Sequence, residues 1–202
     1  MKLTRRSALS LAGVAAMTPS VALADAVPYT ETQRSIGSPK APVTIYEFFS
    51  LTCPHCGDFA TDIMPEIKTK LVDTGKVRFI YRDYPLDQVA LHAAMVARYL
   101  PLADYYPFIE ALFAGQDNWA FKQGVDYKQA IFSYAAMAGM SRPTFDKAWA
   151  DEALATWILK GQQEAEQIDG INATPSFIIN GVKHVGALDY PGFAALIKKA
   201  GG

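Results

Sequence analysis

The only two cysteines in this chain of 202 residues are Cys53 and Cys56, and two residues separate them. An apolar segment rich in β-branched and aromatic residues ends shortly before them, at Phe49, and apolar residues at helical spacing follow. Two thiols at this spacing can close a small disulfide ring, so the pair is a candidate two-electron redox site. A strand, a turn and a helix are the local structure that such a site requires.

A structural zinc site and a static disulfide are the other uses of such a pair. A tetrahedral zinc site needs four ligands. The chain has no second cysteine pair, and His55, His92 and His184 have no matching spacing. A static disulfide usually constrains a long loop, and a bridge across four residues constrains little. We therefore favour redox chemistry, and we expect no metal and no cofactor beyond a redox-active Cys53–Cys56 disulfide.

The length of the chain fits one domain, or one domain with an insertion. About half of the residues are apolar and 12% are aromatic, which is enough for a packed core. The formal net charge is -1, without a long run of one sign. Composition therefore gives no indication of nucleic-acid binding or of an anionic membrane surface as a partner.

Residues 1–24 have the pattern of a signal peptide. Lys2, Arg5 and Arg6 form a basic start, the apolar run 8–17 is too short to span a bilayer, and residues 22–24 offer a small-x-small cleavage site. The paired arginines leave both Sec and twin-arginine export open. An N-terminal helix of the fold is the alternative interpretation.

We place the start of the mature chain near Asp25, with cleavage around Ala26 or Val27 as the alternative. No later stretch is long and apolar enough for a transmembrane helix. The mature protein is therefore predicted to be soluble, beyond a membrane, in a compartment that permits disulfides.

The first half of the mature chain predicts a βαβ unit. Buried strands are predicted over 43–49 and 77–84, with a helix from Cys53 toward Val72 between them, so the two strands should be parallel. Thr52 is predicted to cap this helix, and Pro65 to kink it. The lead-in over 25–42 is extended, with a short edge strand near residues 34–36.

Helical patterns dominate from about 86 to 167. Helices are predicted over these ranges: 89–100, 105–114, 126–138, 142–150 and 152–168. Pro101 and Pro107 should interrupt the pattern, and the aromatic pair Trp119 and Phe121 is better explained by loop packing than by binding.

The chain ends in a hairpin and a helix. Asn180-Gly181 indicates a tight turn between strands 176–179 and 182–185, and Asp189 should cap a closing helix. This order of elements is similar to the thioredoxin fold. We assign an α/β class, with residues 25–202 forming one thioredoxin-like domain that carries a helical insertion over about 86–167.

The position of Cys53 predicts its chemistry. At a helix N-terminus, unpaired N–H groups and the helix dipole stabilise a thiolate. A stabilised thiolate is a good leaving group and favours the reduced form, which makes the disulfide more oxidising. Pro54 suits the first helical turn. His55 is expected to add to the stabilisation of the anion, with an exposed loop histidine as the alternative.

Two further features are candidates for the site. Glu47 lies in an apolar strand and could pass a proton to or from Cys56. Its alternative is an ion pair with Arg78 or Arg82. Thr174-Pro175 precedes the strand 176–179, and a Pro there could be only an edge feature.

The segment from Glu47 to Cys56 resembles the active site of the DsbA family, periplasmic thiol:disulfide oxidoreductases of bacteria. The resemblance implies that Cys53 is the exposed nucleophile, Cys56 its buried partner and Glu47 a buried acid. It also implies a cis bond before Pro175 that faces the cysteines and leaves the Thr174 backbone free for substrate.

The resemblance further implies a periplasmic protein that introduces disulfides into exported proteins with free thiols. A quinone-reducing membrane protein of the DsbB type would reoxidise it, and we expect a monomer without nucleic-acid partners. The chain departs from the family at Gly57, at Leu51-Thr52 and at Thr174. A disulfide isomerase or reductase of the same fold, and a chaperone with a vestigial redox site, are the alternatives.

Overall fold

A computed structural model describes residues 29–201. The predicted signal peptide, residues 1–24, lies outside the described residues. After a 3-10 turn at Tyr29–Glu31, five strands form one sheet in the order β1-β3-β2-β4-β5. Their bounds are β1 Arg34–Ile36, β2 Val43–Phe49, β3 Val77–Asp83, β4 Ser176–Ile179 and β5 Val182–Val185.

The central strand β2 is parallel to β3 and antiparallel to β4. Its β-branched and aromatic side chains are mostly buried, as expected for a strand covered on both faces. The parallel pair confirms the predicted βαβ unit. The short edge strand β1 pairs antiparallel with β3, which confirms the strand predicted near residues 34–36.

The helical run between β2 and β3 is continuous but irregular. It consists of α1 (Pro54–Asp58), a π-helical turn (Phe59–Ile63), α2 (Met64–Ile67) and a second π-helical turn (Lys68–Val72).

The prediction that Thr52 caps α1 is wrong. Cys53 occupies the N-cap without a side-chain bond, and the Thr52 hydroxyl donates instead to Asp87 Oδ2 at 2.7 Å.

Six helices lie between β3 and β4. They are α3 (Gln88–Arg98), α4 (Leu102–Ala114), α5 (Gln116–Trp119), α6 (Tyr127–Met137), α7 (Arg142–Trp149) and α8 (Glu152–Ile168). The predicted interruption at Pro107 is wrong, because Pro107 lies inside α4. Proline removes the N–H that would bond to the carbonyl of Ala103, and Ala103 is exposed, so water can solvate that carbonyl.

The hairpin and the closing helix follow the prediction. Asn180 and Gly181 both have positive φ, as a tight hairpin turn of this type requires. Asp189 caps α9 (Tyr190–Lys199) by accepting a bond from the N–H of Gly192. The predicted thioredoxin fold with helices inserted before the hairpin is confirmed.

Aromatic side chains join the helices to the sheet. The ring of Phe59 lies 4.9 Å from that of Phe177 and 5.4 Å from that of Phe193, measured between centroids. These contacts join the helix that follows the cysteines to β4 and to the closing helix. The N-terminus of α1 is therefore held against the beginning of β4.

A buried charge cluster holds the inserted helices to the edge of the sheet. Arg34 of β1 donates to the backbone carbonyl of Arg98 and lies over the ring of Tyr105. Arg98 forms a buried ion pair with Asp83 at the end of β3.

Across residues 29–201, no helix combines the length and the apolar character needed to cross a membrane.

The aromatic pair of the α5 segment allows a matched test of packing. Trp119 is fully buried, and its Nε1 donates to the carbonyl of Leu112 at 2.7 Å, whereas Phe121 is 44% exposed. We expect Trp119→Ala to lower the free energy of unfolding by about 3–5 kcal/mol. We expect Phe121→Ala to change it by about 0.5 kcal/mol or less. Urea unfolding measures both, and equal losses would contradict this assignment.

Candidate active site

Two chain segments meet at the cysteines. The carboxyl end of β2 leads through residues 50–52 to Cys53, the N-cap of α1. The strand β4 runs antiparallel to β2 and pairs Ser176 with Phe48, so the loop before β4 lies beside the end of β2. Thr174 and Pro175 are the last two residues of that loop, which explains why Cys53 and Thr174, 121 positions apart, come together.

Cys53 has an extended backbone conformation, with φ of -85° and ψ of 121°. Its Sγ donates a hydrogen bond to the backbone carbonyl of Thr174 at 3.3 Å. The residue is only 4% exposed, so the resemblance overstates its exposure, although Cys56 is fully buried at 0%. Cys53 nevertheless remains the more accessible of the two cysteines. Both cysteines are present as free thiols.

The surroundings of Cys53 stabilise its thiolate. The hydrogen bond from the Cys56 side chain contributes most to the lowering of the Cys53 pKa, which falls to about 5 from an ordinary value of 9.0. The Thr174 side chain and the backbone N–H groups of Cys56 and His55 lower it further, against the opposing effect of burial. The buried Thr174 hydroxyl has no other partner among the described residues, so it is available to the thiolate.

The pKa of Cys56 is shifted in the opposite direction. Burial raises the pKa of its thiol far above the ordinary range, the hydrogen bond to Cys53 raises it further, and so does the charge of Glu47 once that carboxyl group is ionised. At neutral pH the pair therefore carries one negative charge, and that charge lies on Cys53. This asymmetry separates a leaving group from a thiol that must hold a proton.

Glu47 is 3% exposed and lies in the centre of the sheet, between Tyr81 of β3 and Phe177 of β4. Burial raises the pKa of its carboxyl group to about 8. The alternative ion pair is not formed. Arg78 instead donates to Gln33 at 2.8 Å, and none of the ion pairs among residues 29–201 joins Glu47 to Arg78 or Arg82.

Glu47 lines a narrow cleft together with Tyr106 and Glu110. It holds about 10 Å³, which is close to the volume that one water molecule needs. Glu47 is thus a protonated acid at neutral pH, near enough to Cys56 for their charges to interact. It has the burial and the protonation state that a proton donor to Cys56 would need.

The two residues between the cysteines differ in their placement. Pro54 occupies the first turn of α1, where a missing N–H costs no helical bond. The His55 side chain is 77% exposed and its Nδ1 lies 3.6 Å from Asp58 Oδ2. Its backbone N–H, rather than its ring, is among the groups that lower the pKa of Cys53.

The Thr174-Pro175 peptide bond is cis. This loop faces Cys53 through the 3.3 Å bond between Sγ and the Thr174 carbonyl. The Pro175 carbonyl accepts a bond from the N–H of Gly186 at the end of β5. The sequence therefore identified both segments that the fold brings together at the cysteines.

The other two histidines lie in α3 and β5. His92 stacks on Trp149 with ring centroids 4.3 Å apart, and His184 lies in β5. Within the described part of the chain, no group of three or more His, Cys, Asp or Glu side chains is arranged to hold a metal ion.

Sequence reasoning missed one residue of the site. Gln116, at the start of α5, is buried and donates hydrogen bonds to the backbone carbonyls of Leu51 and Cys53. A separation of 63 residues left no local pattern to indicate this contact. The one available signal was Gly57, an unexpected glycine in the first turns of a helix.

Comparisons with known proteins agree with this geometry. A thioredoxin family model matches residues 29–199. The crystal structure of Wolbachia pipientis alpha-DsbA1 is similar with a TM-score of 0.78 and 33% identity, over 87% of this chain and 92% of that chain. Oxidised BdbD from Bacillus subtilis has a TM-score of 0.73 and 24% identity, over 83% of this chain and 92% of that chain, which shows a common fold.

A curated relative from Rickettsia bellii, named as a candidate protein-disulfide oxidoreductase, is 25% identical over 154 residues. The match covers 76% of this chain and 59% of that protein. The chain thus spans little more than half the length of this curated relative. The chain belongs to the thioredoxin family, in its DsbA-like form, and the resemblance found in the segment from Glu47 to Cys56 is confirmed.

The raised pKa of Glu47 predicts how stability depends on pH. Its pKa is about 8 in the folded protein against an ordinary value of 4.5. The folded state therefore favours the protonated carboxyl group. The contribution of Glu47 to the free energy of unfolding is complete below about pH 4.5 and is lost as the pH rises through about 8. Glu47→Gln should remove this loss, so its free energy of unfolding at pH 8 should exceed that of wild type by at most about 4 kcal/mol.

Urea unfolding of the oxidised protein at pH 4, 6 and 8 measures this effect. Glu164→Gln, at an exposed position of α8, is the matched control and should keep the wild-type pH dependence. An unchanged pH dependence in Glu47→Gln would show that Glu47 does not carry a raised pKa.

Proposed function

We propose that this protein is a thiol:disulfide oxidoreductase that introduces disulfide bonds into exported proteins through the Cys53–Cys56 pair. The observation that carries the proposal is the opposite shift of the two thiols, with the pKa of Cys53 lowered to about 5 and that of Cys56 raised. A stabilised Cys53 thiolate favours the reduced pair, so the disulfide tends to pass to a substrate.

The first step is the attack of a substrate thiolate on Cys53 Sγ of the disulfide. A mixed disulfide forms between the substrate and Cys53, and the bond between the two cysteines breaks with Cys56 as the leaving thiolate. Burial disfavours a charge on Cys56. Glu47, protonated at neutral pH, supplies a proton to that sulfur and later regains one from solvent.

The second step releases the product. A second substrate thiolate attacks the substrate sulfur of the mixed disulfide, a substrate disulfide forms, and Cys53 leaves as the thiolate. The substrate loses two electrons and two protons, and the cysteine pair gains the electrons. One proton remains on Cys56, and the other goes to solvent because Cys53 stays ionised above about pH 5.

The cis loop supports a mode of substrate binding. The N–H of Thr174 makes no hydrogen bond to another described residue, and its carbonyl bonds only to Cys53 Sγ. An extended peptide can pair with this backbone by strand addition, with its own cysteine next to Cys53. Thr174 and Pro175 are thus assigned to substrate binding. Pro54 and His55 are assigned to tuning of the redox pair through the turn that they form.

The remaining assignments complete the proposal. No resident cofactor takes part other than the Cys53–Cys56 disulfide. A membrane protein of the DsbB type would restore that disulfide by taking two electrons from the reduced pair. The protein would act as a monomer in the periplasm after removal of residues 1–24, on proteins that arrive there with free thiols.

Single substitutions of the two cysteines should separate their roles. Cys53→Ser should abolish oxidation of a reduced, unfolded substrate protein, because no mixed disulfide can form. Cys56→Ser, mixed with a substrate protein that already contains disulfides, should accumulate covalent complexes, because the Cys53 thiolate attacks the substrate disulfide and no internal thiol then resolves the complex. Non-reducing gel electrophoresis of the reaction mixtures measures both outcomes.

The double variant Cys53→Ser/Cys56→Ser is the control. If it still promoted folding of the substrate as well as wild type, a chaperone activity would replace the redox proposal. Normal turnover by Cys56→Ser would contradict the assigned roles.

A further inference from the structure

Gln116 belongs to the inserted helices, yet its side chain reaches the loop that carries Cys53. Its Nε2 donates to the carbonyl of Leu51 at 2.9 Å and to the carbonyl of Cys53 at 3.0 Å. The residue is 7% exposed. An amide nitrogen has two N–H donors, so this group is fully used, with one bond on each side of Thr52.

The backbone of Gln116 is itself fixed by its neighbours. A Cβ on Gly115 would lie 1.9 Å from the hydroxyl of Tyr134, so this residue packs directly against that side chain. Trp119 is fully buried, and its Nε1 bonds to the carbonyl of Leu112. The backbone that carries the Gln116 side chain is therefore held by packing that does not involve the loop.

The helix that carries the cysteines leaves room for this amide. Gly57 is buried in α1 and does not have a positive φ, so its backbone conformation is open to any residue. A Cβ at this position would lie 2.2 Å from Gln116 Oε1 and 2.9 Å from its Cδ. Glycine weakens a helix relative to alanine, and the space taken by the Gln116 amide explains its presence here.

We propose that Gln116 is a positioning residue that fixes the backbone of Cys53 for thiol exchange, and that Gly57 is needed to admit it. The inference rests on the proposed redox role of Cys53. It joins the inserted helices to the reacting residue itself, because one side chain of the insertion holds the carbonyl of the nucleophile.

Two effects connect this contact to the Cys53 thiolate. The Cys53 carbonyl also accepts a bond from the N–H of Gly57 at 3.1 Å, so both lone pairs of its oxygen are engaged. These donors offset the negative partial charge of an oxygen in the same residue as the thiolate. The bond to Leu51 also holds the loop, and with it the orientation of Sγ toward the N–H groups at the start of α1.

Gln116→Leu tests the contact because leucine keeps the bulk and removes both donors. The measurement is the ultraviolet absorbance of the Cys53 thiolate in the reduced protein, titrated with pH. We expect the midpoint to rise by about 0.5 unit or more, which is roughly a threefold loss of thiolate on the rising part of the curve. Gln163→Leu, at an exposed position of α8, is the control and should leave the midpoint unchanged.

Gly57→Ala tests the same contact from the other side and adds only a methyl group. Its Cβ must displace the Gln116 amide, so the midpoint should rise as it does in Gln116→Leu. In a Gln116→Ala background the space is free, and adding Gly57→Ala should cause no further rise. If Gln116→Leu does not fold, the effect of Gly57→Ala in the wild-type and in the Gln116→Ala background decides whether Gln116 positions Cys53.

The outcomes separate this inference from the proposed function. A wild-type midpoint near the ordinary value of a cysteine would contradict the proposed function. A low wild-type midpoint that neither Gln116→Leu nor Gly57→Ala moves, even if both lower thermal stability, would overturn the positioning role alone.

Discussion

The stabilisation of one negative charge on Cys53 is the interaction on which the rest of this site depends. The sulfur lies at the N-cap of a helix, where it meets the side chain and backbone N–H of Cys56 and the hydroxyl of Thr174. Each of these donors favours the thiolate over the thiol. Each unit by which the pKa of Cys53 is lowered corresponds to about 1.4 kcal/mol in favour of the charged form. A disulfide accepts electrons more readily when the thiolate that it produces is stabilised in this way.

The fold provides these donors by bringing distant segments to one end of β2. The N-terminus of α1 lies at that end because the helix follows β2 in the chain, and the antiparallel pairing of β2 with β4 brings the cis loop to the same end. The same central strand carries the buried Glu47, which interacts electrostatically with Cys56. A single strand therefore leads to the charged sulfur at its end and carries a neutral acid within its length. The pKa of Glu47 is raised above its ordinary value, and the pKa of Cys53 is lowered below its own.

Much of this arrangement follows from local sequence patterns. The apolar run of β2, the Asn180-Gly181 turn and the Asp189 cap each depend on a few neighbouring residues, and each was predicted correctly. The cysteine spacing and the segment from Glu47 to Cys56 identified the site because those residues are close in sequence.

The features that could not be predicted depend on contacts between distant residues. The hydroxyl of Thr52 bonds to Asp87 rather than to the helix that it precedes. Pro107 is tolerated within α4 because tertiary packing buries the apolar side of that helix. Gln116 reaches Cys53 across 63 residues, and nothing in its own neighbourhood indicates that it would.

The redox equilibrium of the Cys53–Cys56 pair against glutathione, followed by tryptophan fluorescence, tests the central claim most directly. Stabilisation of the Cys53 thiolate predicts a pair that stays reduced in fairly oxidising mixtures, with a midpoint less negative than about -200 mV. A midpoint more negative than about -270 mV would contradict the account. The disulfide would then be too stable to pass to other proteins, and the protein would be a reductase that requires an electron donor.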